Sequence, residues 1–226
     1  MKQHLFLFIL ILFFSSSHIS YCQQTEHSGK KEENDSILLK ESGKKERKNQ
    51  AHSDINKLKT GVLIVRLKNK AGSVEKLKES QNFKAASIIE AEQQALNLRI
   101  INAFRKNFDF CPVYFIYSSE SDHIMQQHYS AVHFLSDKLE PDPAILWPDK
   151  EFLTAELGVT DSPKEEYRTD MSIPALIIQN EQFIQLQAPF PYYSRTFGLK
   201  PSQKELDKAV RKMNSRLHNF KNTLNE

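Results

Sequence analysis

At 226 residues, with a formal charge of +3, a pI near 8.7 and 39% hydrophobic residues, the chain holds enough for one ordinary domain beyond its N-terminal segments. So mild a charge excludes the electrostatic footprint of a nucleic-acid binder. Two cysteines, Cys22 and Cys111, exclude a Cys-x-x-Cys dithiol, and the 6 glycines lie too far apart for a phosphate-cradling loop.

Residues 1–22 read as a secretory signal of bacterial type. Lys2 gives a short positive start, "LFLFILILFF" is an apolar core too short to span a bilayer comfortably, and "SSSHISYC" is a small, polar tail. Ser20 and Cys22 occupy the two positions where a peptidase needs small side chains, so the mature chain is expected to begin at Gln23. The alternative is a lipid anchor on Cys22, against which Tyr21 is a poor fit. No later run is long enough for a transmembrane helix, and a periplasmic or extracellular location, free or membrane-tethered, is the expectation. Residues 23–59 carry dense charges of both signs, no aromatics and the string "SGKKE" twice, which reads as a disordered charged linker. The folded domain is then expected over residues 60–226.

"GVLIVRL" (Gly61 to Leu67) has the apolar, β-branched character of a buried strand. Val74 and Leu77 make a short helical piece, "SQN" interrupts it, and Ala85, Ile89, Leu96, Ile100 and Phe104 recur at helical spacing. Pro112 stops that helix, and "VYFIY" (Val113 to Tyr117) follows as a second strand, parallel to the first. "ESDHIMQQH" is expected as helix or turn, "AVHFL" as a strand and "EFLTAEL" as strand or helix, with irregular structure across the proline-rich span 140–170. "IPALIIQNEQFIQLQ" (Ile173 to Gln187) reads as a β-hairpin. A capping box at Ser202 and Glu205 opens a long amphipathic C-terminal helix with Leu206, Val210, Met213, Leu217, Phe220 and Leu224 on one stripe. The fold class is therefore α/β, a three-layer sandwich with a mixed central sheet.

A parallel strand pair, an Ile-Pro-led hairpin and a terminal helix resemble the thioredoxin-like fold, and the chain is also similar to uncharacterised exported bacterial proteins. The fold resemblance implies a cis-proline at Pro174. Thioredoxin-like redox enzymes carry their cysteine where a helix starts after a central strand, and "SSESD" at that place has none. Cys111 sits at the opposite end of "VYFIY", behind a helix C-terminus and near Asp109, where negative partial charge disfavours a thiolate. It is expected as a packed hydrophobe, with a one-cysteine thiol-redox role as the alternative. Ser119 or Ser121 with His123 would make a hydrolase, although serines at strand ends are mostly turn formers.

Glu120, Asp122, His123, His128 and His133 bear metal-binding side chains, but histidines five apart do not share a helix face, so no metal site and no cofactor are expected. Lys204, Lys208, Arg211 and Lys212 form a solvated helix face. "APFPYYSRTF" places Phe190, Tyr192, Tyr193 and Arg195 on a loop stiffened by two prolines, in the chemistry of contact hot spots. The expected role is that of an exported, non-enzymatic accessory protein of the cell envelope that binds an unknown protein or envelope component through that loop, with packing of the loop's aromatics over an edge of the domain's own core as the alternative.

Overall fold

The computed structural model describes residues 28–160 and 172–224. The expected signal, Cys22 and the last part of the proline-rich span lie outside them. The chain divides into two units, Met1–Ser42 and Gly43–Glu226. In the first, the described residues from Ser28 are helical, the opening part of helix α1 (Ser28–Thr60).

The second unit contains the rest of α1 and all other elements. These are β1 (Val62–Leu67), α2 (Ala71–Glu79), α3 (Phe83–Asn107), β2 (Val113–Tyr117), α4 (Ser121–Met125), β3 (Phe152–Val159), β4 (Pro174–Gln179), β5 (Tyr193–Arg195) and α5 (Gln203–Asn222). They form a mixed α/β structure around a five-stranded sheet of order β2-β1-β3-β4-β5. β1 pairs in parallel with β2 and β3, whereas β3–β4 and β4–β5 are antiparallel.

Local chemistry accounts for the boundaries. Gln81 takes a positive φ of 57°, which ends α2, and the Asn82 side chain accepts from Ala85 N–H to start α3. Ser202 and Glu205 form the reciprocal capping box of α5, and Leu206, Val210, Met213 and Leu217 are buried beneath it. The pleat divides the core in two. Leu63, Val65, Leu67 and Phe115 point to the face covered by α1, α3 and α5, while Val62, Ile64 and Ile116 point to the face covered by α4 and the irregular chain that follows it.

Several expectations need correction. The segment expected as linker up to residue 59 is helical from Ser28, and Ala51, Ile55 and Leu58 are buried in the main core. Their spacing of four and three residues places them on one helix face. α1 then passes into β1 through Gly61, whose N–H donates to Lys57 O at 2.9 Å, and a Cβ there would collide with the carbonyl oxygens of Lys57 and Glu151. The domain therefore begins before Thr60.

"AVHFL" is not a strand. A 3-10 turn at Tyr129–Ala131 and a single bridge, Leu135 to Pro141, replace it, because the nearby prolines withhold ladder donors while Val132 and Phe134 still bury their side chains. "EFLTAEL", expected as strand or helix, takes the strand option in β3, so the irregular structure expected across 140–170 does not hold there. The expected hairpin keeps β4 but loses its second arm: only Gln185 bridges Gln179, and β4 pairs instead with β5. Asn180 fastens the tight turn by accepting from Gln182 and Ile184 N–H, and Phe183 takes a φ of 60°. Among the described residues the cis peptide is Ala188–Pro189, not the bond before Pro174.

Candidate functional site

The order of connections creates a crevice at one end of the sheet. From the carboxyl end of β1 the chain runs through α2 and α3 to β2 on one side, and from the carboxyl end of β3 it continues to β4 on the other. Adjacent parallel strands whose connections diverge leave a gap at their carboxyl ends, the usual ligand position in open α/β sheets. A cavity of about 430 Å³ lies there, between β1, β3, α3 and the loop before α5.

Its lining is basic. Lys68, Lys70, Arg99 and Lys200 surround it with Glu92 as the sole acid, over a floor of Leu96, Ile100 and Leu157. Lys200 Nζ donates to Glu92 at 2.6 Å, and that bond holds the Glu92 carboxyl below its usual range. Lys68, Lys70 and Arg99 form no ion pair among the described residues. Arg99 Nε is buried without a hydrogen-bond acceptor. Three cations are thus left for an anion from outside.

Buried polar groups hold the wall in shape. Gln93 donates to Asn97 Oδ1 at 3.0 Å, and Asn97 donates to Lys68 O at 2.8 Å, which fixes the turn that carries Lys68 and Lys70. A second cavity of about 490 Å³ adjoins on the far side of Gln93 and Asn97. On the opposite sheet face, Arg66 reaches Glu156 at 3.3 Å, donates to Ser121 Oγ and Gln179 Oε1, and stacks 3.9 Å from the Phe183 ring centre. Burial pulls its guanidinium below the ordinary value, and Glu156 offsets part of that pull.

The residues singled out in the sequence lie elsewhere. Cys111 is buried, and burial pushes its thiol up to about 12. The folded state then holds the proton more tightly than the unfolded chain, so this contribution to stability is complete below the thiol's ordinary value near 9 and is lost as pH rises toward 12. Thiol reagents at neutral pH should therefore label Cys111 only after denaturation. Fast labelling of the folded protein would contradict that burial.

Ser121 Oγ donates to Ser118 O at 2.7 Å and accepts from Arg66, and Ser119 Oγ accepts from Asn69. Neither bonds to His123 among the described residues. Glu120 meets His133 at 3.3 Å, but no three metal-binding side chains converge among the described residues. In the loop after β4, Phe190 is 2% exposed and belongs to the core, which withdraws it from any contact surface. Tyr192 and Tyr193 are half-buried against each other, and Arg195 is exposed at the end of β5.

Comparison with protein-family models, with curated proteins and with solved structures finds no match. No described helix is long and apolar enough to cross a membrane. The crevice cations come from three distant segments, so no local pattern in the sequence groups them. A lysine pair just beyond the first strand of a βαβ unit, in "RLKNK", was the signal available.

Proposed function

We propose that the chain is an exported, non-enzymatic binding protein of the cell envelope that holds an anionic partner in the crevice at the carboxyl ends of β1 and β3. One observation carries the reading: Lys68, Lys70 and Arg99 converge on a preformed cavity whose one acid, Glu92, is ion-paired with Lys200. The thioredoxin-like reading of the domain rests on the β1–β2 pair, on antiparallel β4 opening at Pro174 and on α5, with β3 as an additional parallel strand inside that pattern.

The test is thermal unfolding of the full-length chain with and without inorganic phosphate. A ligand that binds only the folded state stabilises it by mass action, by about 2.7 kcal/mol at a hundredfold excess over Kd, and so raises the midpoint. Lys68→Gln with Lys70→Gln, two exposed positions, should abolish the rise and leave the phosphate-free midpoint unchanged. An equal rise in the variant, or none in the parent chain, would overturn the reading.

A further inference from the structure

The crevice is not built for a bare anion. Its floor is Leu96, Ile100 and Leu157, each less than a tenth exposed, and Leu199 lines its mouth while remaining 46% exposed. Two residues beyond the lining residue Leu157, Val159 is 46% exposed, and two residues before Leu199, Phe197 is 79% exposed. The loop that carries Phe197 and Leu199 is fastened: Thr196 Oγ1 donates to Gly198 O, and Gly198 has the positive φ of 76° that glycine adopts without strain. Apolar side chains held at a solvent-facing mouth beside unpaired cations make a surface of two chemistries.

Resting on the reading above, we infer that the ligand is a single-chain anionic amphiphile, a phosphate or carboxylate head on an alkyl or acyl chain. The head meets Lys68, Lys70 and Arg99, and the chain lies over Leu96, Ile100 and Leu199. A polar anion such as a sugar phosphate would leave the apolar floor and mouth uncovered, and an uncharged lipid would leave the excess of cations over Glu92 unmatched.

Calorimetric titration of the full-length chain with inorganic phosphate, hexyl phosphate, decyl phosphate and decanol, each below micelle-forming concentration, separates the possibilities. Affinity should rise along the phosphate series, by up to about fourfold per buried methylene, with decanol at least about tenfold weaker than decyl phosphate. Leu199→Asn, which removes the apolar contact without adding charge, should flatten the dependence on chain length and leave binding of inorganic phosphate in place. Lys68→Gln with Lys70→Gln should remove the preference for decyl phosphate over decanol.

Equal affinity for phosphate and decyl phosphate would overturn the amphiphile and leave the anion crevice standing. Equal affinity for decanol and decyl phosphate would overturn both, as would no binding at all. Decyl phosphate binding that Leu199→Asn leaves untouched would put the chain elsewhere and overturn the inference.

Discussion

A chain that starts at Thr60 should fail to fold, whereas one that starts at Gly43 should unfold cooperatively. The reason is the buried stripe of α1. Ile55 and Leu58 are fully buried, and Ala51 nearly so, against the face of the sheet that also packs α3 and α5. Polar contacts add to the attachment: Lys57 pairs with Glu181, Lys59 donates to Phe110 O, and Lys221 donates to Asn56. Removing one buried leucine typically costs about 2–5 kcal/mol, a large part of the roughly 5–15 kcal/mol that a domain has in total. Leu58→Ala alone should therefore lower stability by about 3 kcal/mol, measured by urea unfolding. A Thr60 chain with an unchanged midpoint would show that α1 is not part of the domain.

That helix also shows what the sequence could not display. The sequence of α1 carries dense charge of both signs, and the stripe of Ala51, Ile55 and Leu58 occupies about two turns near its end, so a reading by composition averages the stripe away. Even the buried face carries Asp54, 5% exposed, whose carboxyl burial pushes up while Gln50 and Lys57 pull it back. By contrast β1, β2, α3 and α5 were legible because each buries a continuous run or a long stripe that matches its own period.

The second arm of the hairpin misled for a different reason. Phe183, Ile184 and Leu186 alternate as a strand should, yet Ile184 is 62% exposed and Phe183 turns onto Arg66, a tertiary contact that local pattern cannot encode. The crevice was illegible on the same ground. Lys68, Arg99 and Lys200 are strangers in sequence, and only the sheet order brings them together.

Arg66→Met should cost about 3 kcal/mol, far more than an exposed ion pair would. The Arg66 and Glu156 side chains are 14% and 20% exposed, and they face each other from adjacent parallel strands at register positions that pair directly. Methionine keeps much of the stem's packing but leaves Glu156 charged in a half-buried place, and it takes a donor from both Ser121 and Gln179. It also removes the guanidinium from the Phe183 ring. Adding Glu156→Gln removes the stranded charge, so the double variant should recover about half of the loss. Chemical denaturation of the two single variants, the double variant and the parent chain gives the coupling directly. A loss below about 1 kcal/mol for Arg66→Met would make the pair an ordinary surface contact. A double variant no more stable than Arg66→Met would instead assign the loss to the hydrogen bonds and the ring, not to the unpaired carboxylate.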